Sequence, residues 1–95
     1  MRRMLRFEWD DDKAYANERE HGVSFDEAKE VFADESAIVE YDDSHADVEP
    51  RFHIIGLSSR RLLMVVYAER EREVIRIISA WKAGKKYREA YEQDK

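Results

Sequence analysis

Residues 61–68 read RLLMVVYA, a nearly continuous apolar run led by one arginine. A strand with one wet face alternates apolar and polar side chains, whereas a run without alternation needs cover on both sides. The run therefore predicts a central strand, buried front and back, with a sheet around it. Its neighbours fit that setting. Residues 51–58 read as a strand, and Ser58-Ser59-Arg60 as the hairpin turn between the two. Residues 69–73 form a charged turn, and 74–80 a last strand; residues 37–41 give another, ahead of an acidic polar loop at 42–49. Short polar turns between consecutive strands predict an antiparallel meander. The single proline, Pro50, stands where a loop should meet an edge strand.

The first third reads differently. RFEWD, residues 6–10, predicts a short strand, and the aspartates at 10–12 supply an N-cap and negative charge for a helix over 11–20. His21 falls in its last turn and Gly22 at the position after its end, where positive φ is free of cost. Ser24-Phe25-Asp26-Glu27 is a capping box, and Phe25, Ala28, Val31 and Phe32 then share one helical face, up to a stop near Asp34. A final helix follows residue 80, with Tyr87, Ala90 and Tyr91 as its apolar stripe. The order β-α-α-β-β-β-β-α predicts an α+β domain, with helices packed on one face of a four- or five-stranded antiparallel sheet. The other face is then solvated or used for binding. With 95 residues the chain holds one domain, 1–95, and one modest core.

The chain has no cysteine, which excludes a disulfide scaffold and thiolate chemistry and is compatible with a reducing cytoplasm. No apolar run approaches the roughly 18 residues of a membrane span. The basic start, MRRMLRFEWD, has no apolar stretch behind it, so no signal peptide is expected. A net charge of −5 conceals a division: residues 1–50 carry 6 basic against 16 acidic side chains, and residues 51–95 carry 11 against 6. An acidic half and a basic half can present two surfaces to two partners, or simply make an ordinary mixed surface.

The segment VIRIISAWKAGKKYREAYE, residues 74–92, gives the clearest functional signal. Its helix is expected to open with Lys82, Lys85 and Lys86, although positive charge opposes the macrodipole at a helix N-terminus. Such a start suits an anion held by backbone N–H and ammonium groups together, and so points to phosphate; alternatively the helix begins later and the lysines are solvated. Arg76 interrupts an apolar strand. Strict alternation would set Val74, Arg76 and Ile78 on one face and Ile75, Ile77 and Ser79 on the other. Arg76 either lies in a binding face or pairs with an acid across strands. His21 suits general acid or base work, and equally the stabilised cation of a helix C-terminus. Trp81 can stack on bases or pack, whereas Trp9 is expected in the core. His45 and His53 match no zinc spacing, and no metal site or cofactor is expected.

FEWD (7–10), EHGVSFDEA (20–28), VFAD (31–34), Glu49-Pro50-Arg51-Phe52, IGLSSRRLLMVVYAER (55–70) and IRIISA (75–80) occur in this order, with a basic segment behind. In that ordered set the chain closely resembles the BrnT family of bacterial toxins. The resemblance implies the compact RelE-like fold and a type II toxin, a metal-independent endoribonuclease that inhibits translation by cleaving RNA in the cytoplasm. It also implies neutralisation by a ribbon-helix-helix type, BrnA-like antitoxin, in a heterotetramer that binds operator DNA through the antitoxin. The alternative is a non-catalytic homologue that binds the antitoxin as a co-repressor.

Cleavage of that kind needs a base for the ribose 2′-OH, an acid for the 5′-oxygen and cations for the transition state. Arg61 matches the family's Gly-Arg position, with Arg60 replacing the glycine, and is expected at the scissile phosphate. Trp81 stands where the family usually has arginine, Gly84 where it tends to have Ser or Thr, and Tyr87 where it tends to have an acid. Lys82 is then the candidate to replace the missing arginine. Arg61, Arg76, Lys82 and His21 are the catalytic candidates; Lys85, Lys86, Trp81 and Ser79 are the RNA-binding ones.

Overall fold

The computed structural model describes residues 4–45 and 47–93, with the backbone alone at His45. Five strands form one sheet: β1 (Arg6–Glu8), β2 (Ile38–Asp42), β3 (Arg51–Leu57), β4 (Leu62–Glu69) and β5 (Val74–Lys82). The strand order is β1-β5-β4-β3-β2. β4, the apolar run, lies at the centre, buried from Leu62 to Ala68. The antiparallel meander predicted from the turns is present across β2 to β5. The sheet as a whole is mixed, because β1 pairs parallel with β5, Phe7 opposite Ile75. That direction follows from the two-helix crossover that carries the chain from one edge of the sheet to the other. No local signal in residues 6–10 encodes it.

Helix α1 (Asp11–His21) is capped as its sequence demands. Asp10 Oδ1 accepts the N–H groups of Asp12 and Lys13 at 2.8 and 3.1 Å, and Gly22 ends the helix at φ 71°. Asn17 is its buried residue. Its side-chain amide donates to the carbonyls of Val23 and Ala80, both at 2.9 Å, and accepts the Ala80 N–H at 3.1 Å. β1 covers β5 only as far as Arg76. Beyond that point Asn17 supplies the donor and acceptor that a neighbouring strand would have offered, which matters because buried backbone groups need partners.

Helix α2 (Phe25–Lys29) runs into a 3₁₀ turn at Glu30–Ala33. Ser24 Oγ accepts the Glu27 N–H at 3.0 Å, the first half of the expected capping box. The Glu27 carboxylate does not complete it but turns to Arg61. Val23, Phe25, Ala28 and Val31 pack on Ile54, Leu63, Val65, Tyr67, Ile75, Ile77 and Ala80 to make the larger core cluster. Gly56 lets the 3₁₀ turn sit on β3: a Cβ there would lie 2.9 Å from Val31 Cγ1 and 3.0 Å from Ala37 Cβ.

Helix α3 (Lys85–Gln93) buries Tyr91 in a second cluster with Ile55, Leu62, Met64 and Ala83. These residues alternate with the first cluster along β3 and β4, so α3 covers part of the opposite face. The Tyr91 hydroxyl donates to Asp34 Oδ2 at 2.6 Å, and the same oxygen accepts the Leu57 N–H at 2.8 Å. Among the described residues, no helix is long and apolar enough to cross a membrane.

Candidate functional site

Two groups of polar residues stand on the sheet, one at each end of β5. The first gathers where β5 ends. Lys82 is the last residue of that strand, opposite Leu63, and is exposed. Trp81, opposite Met64, is half-buried, and its ring centroid lies 5.8 Å from that of His21. His21, Glu20, Trp81 and Lys82 line one open groove. Lys85 and Lys86 follow as the first two residues of α3, both exposed, with Lys86 Nζ 5.8 Å from the Tyr87 ring centre.

The Gly84 carbonyl accepts the Arg88 N–H at 2.9 Å, which makes Gly84 the cap of α3. Lys82 therefore belongs to the strand, and two of the three lysines expected at the helix start open it. Trp81 in β5 and Ala83, just past the strand's end, pack with the α3 cluster and leave a two-residue link, Ala83 and Gly84, before the helix. The first turn holds no acidic residue. It carries the macrodipole and two ammonium groups of the same sign, an arrangement relieved by an anion.

Arg61 lies near this end but faces α2. Its Nε donates to Glu27 Oε2 at 3.0 Å, and its Nη2 to Glu27 Oε1 and the Gly22 carbonyl, both at 2.8 Å. Ser58 Oγ–H adds a bond to Glu27 Oε2 at 2.8 Å. The carboxyl is 8% exposed and is held below its usual pKa, chiefly by the hydrogen bond from Arg61; the same bond raises Arg61. The guanidinium thus clamps the start of α2 to the β3–β4 turn, with its charge largely neutralised. That pairing over 34 positions of sequence has no local signature.

The second group lies at the other end of the sheet, on the face opposite α1 and α2. Arg76 is opposite Ala68, and its Nε stands 3.9 Å from Glu8 Oε2, a loose contact. It is six residues from Lys82, about 20 Å along the strand, and so does not join the first group. A bulge intervenes. Val66 pairs with Ser79 and Tyr67 with Ile77, leaving Ile78 as an extra residue. The bulge reverses the later alternation, so Ser79 shares the face of Arg76, contrary to the strict period-two expectation.

Two further residues lie on this face, Arg51 and His53; the sequence assigns neither a site role, beyond setting His53 aside as a zinc ligand. His53 Nε2 lies 3.0 Å from Asp42 Oδ2, and Asp42 also accepts the Ser44 hydroxyl and N–H at 2.6 and 3.0 Å. These bonds, Ser44's first, pull the Asp42 carboxyl down to about 2. Arg51 stands two residues before His53 on the same side of β3. Alternation of Arg51, His53 and Ile55 was the available signal. Trp9 packs edge-on against Phe25 at 5.8 Å, the core role expected of it. The side chain of His45 lies outside the described residues.

Residues 9–86 match the family described as "Ribonuclease toxin, BrnT, of type II toxin-antitoxin system". The fold is similar to that in the 1.1 Å crystal structure of the Brucella abortus ribonuclease toxin, BrnT, with a TM-score of 0.68 and 21% identity. The match covers 86% of this chain and 100% of that one. No curated protein sequence is detectably similar to the chain.

Proposed function

Because the chain belongs to the BrnT family of ribonuclease toxins of type II toxin–antitoxin systems, we propose that it is itself an endoribonuclease, active in the cytoplasm. On this reading it cleaves RNA without a metal ion, inhibits translation by doing so, and is silenced by a DNA-binding antitoxin. The observation that carries the reading is the groove in which His21, Trp81 and Lys82 meet. Trp81 offers a stacking surface for a base. Lys82, with Lys85 and Lys86 behind it, offers ammonium groups to the phosphates on either side. His21 is the side chain there proposed to accept the proton of the ribose 2′-OH.

The ribose 2′-OH gives its proton to the imidazole while its oxygen attacks the adjacent phosphorus. The bond from phosphorus to the 5′-oxygen breaks, and that oxygen takes up a proton from solvent, to which the imidazole later returns its own. The products are a 2′,3′-cyclic phosphate and a 5′-hydroxyl end. The cationic groups stabilise the charge gathered on the phosphate in between, the largest contribution such a site can make. Arg61 supports the groove through Gly22, next to His21, rather than by meeting the phosphate.

Expression without antitoxin should arrest growth with decay of RNA, and Lys82→Ala should slow cleavage by purified protein at least tenfold. A wild-type chain that leaves RNA intact at every dose would sink the reading. Two observations favour a second reading: Arg61 is neutralised by Glu27, and Trp81 occupies a position where a cation would serve catalysis. In that case the chain binds antitoxin as a co-repressor, and adding it should tighten the antitoxin's hold on operator DNA with no RNA cleavage.

A further inference from the structure

We infer that the cleft between Arg51 and Arg76 is a binding site for a phosphodiester oxyanion, separate from the groove at the end of β5. The cleft, of about 70 Å³, is lined by Lys13, Arg51, Arg76, Asp10, Glu49 and Ile78, among others. Arg51 lines it, and its Nε is buried with no hydrogen-bond partner among the described residues, so that it meets a ligand only when the side chain turns into the cleft. Buried donors are nearly always satisfied, and an orphaned one implies a missing acceptor.

The sheet explains why the two arginines converge. Arg76 is opposite Ala68 on β4, and Phe52 is opposite Tyr67. Continuing that register places Arg51 across from Ala68 on its other side. The arginines thus flank the smallest side chain on this face of β4, two strand spacings or about 10 Å apart. Their long side chains can meet over it. A planar guanidinium fork matches the oxygens of a phosphate, and the Nε–H of Arg51 is a donor with no acceptor of its own among the described residues.

The charge balance selects the ligand. Four cations, Lys13, Arg51, Arg76 and the adjoining Arg70, stand against three carboxylates, Asp10, Glu49 and the Glu8 beside Arg76. The carboxylates have other work: Asp10 Oδ1 caps α1, Glu49 Oε2 accepts from Arg70 Nη1 at 3.3 Å, and Glu8 lies between Arg70 and Arg76. The excess is one positive charge, which a singly charged phosphodiester neutralises and a doubly charged phosphate exceeds. In taking the phosphodiester to be that of RNA, the inference rests on the function proposed above. The cleft would then hold the strand several nucleotides away from the groove.

The test titrates wild type, Arg51→Gln and Arg76→Gln with two probes, a short RNA whose riboses are 2′-O-methylated against cleavage and inorganic phosphate. Binding is followed by amide chemical shifts, which also report whether each variant is folded. The expected result is at least tenfold weaker binding of the RNA by both variants, with inorganic phosphate binding more weakly than RNA to wild type. Arg51→Lys keeps charge without the fork and should recover only part of the affinity. Loss of phosphate binding alone, with RNA unaffected, would make the cleft a free-phosphate site and overturn its place on the RNA path. RNA and phosphate binding equal to wild type in Arg51→Gln would overturn the inference outright. Cleavage activity is read separately. An inactive chain with Arg51-dependent RNA binding fails the proposed enzyme but keeps the site, and an active chain indifferent to Arg51 does the reverse.

Discussion

Arg61 shows how one residue can be legible in type and illegible in role. An arginine leading an apolar strand, with Arg60 before it, was visible in the sequence; its acceptor, Glu27, was visible only as half of a capping box. The two meet because α2 folds back over the β3–β4 turn, and no local pattern announces that contact. The consequence for mutagenesis is specific. Arg61→Ala leaves the Glu27 carboxylate 8% exposed and without its main partner, and should cost about 2–4 kcal/mol in denaturant unfolding. Lys82→Ala, at an exposed strand end, should cost less than about 0.5 kcal/mol while lowering RNA cleavage. A loss of activity in the first variant would therefore report stability, and in the second chemistry. An unfolding midpoint for Arg61→Ala equal to wild type would refute the clamp.

Helix and strand positions were largely readable, since caps and periodicity are local. Ser24 caps α2, Gly22 ends α1 and the run 61–68 became the central strand. What escaped was set by packing. The bulge at Ile78 lets β5 serve the α1–α2 core with Ile75, Ile77 and Ala80 while Trp81 reaches the α3 cluster. The start of α3 sets stability against binding. Lys85→Glu places a favourable charge on the macrodipole and should raise thermal stability by about 0.3–1 kcal/mol. The same change should weaken RNA binding severalfold. If affinity is unchanged across a salt series while stability rises, Lys85 has no part in holding the strand.

At the scale of the molecule, α3 is tied to the sheet through Tyr91 and Asp34. Burial, then the bond to Asp34, pushes the Tyr91 hydroxyl up to about 12 from 10.0. A group whose folded pKa is raised contributes stability that is complete below its unfolded value and lost as pH climbs through the folded one. Wild type should therefore lose stability between about pH 10 and 12, and Tyr91→Phe should flatten that decline in chemical denaturation at each pH. An unchanged slope would show that another group governs the alkaline limb. The acid-rich first half and basic second half were plain from composition, but which cations gather on which end of the sheet depended on the register of β5.

Asn17 has a consequence for how copies of this chain behave toward one another. Beyond Arg76 the edge of β5 that faces away from β4 has no paired strand among the described residues, and that stretch is rich in apolar side chains. Bare strand edges of that kind recruit other chains. One carboxamide, set at Ala80, occupies the hydrogen-bonding position that an invading strand would need. Asn17→Ala should therefore do more than lower stability by about 2–3 kcal/mol through unpaired backbone groups. It should make the protein aggregate at concentrations where wild type stays dispersed, as light scattering would reveal, so that a side chain with no place in the chemistry keeps the fold solitary.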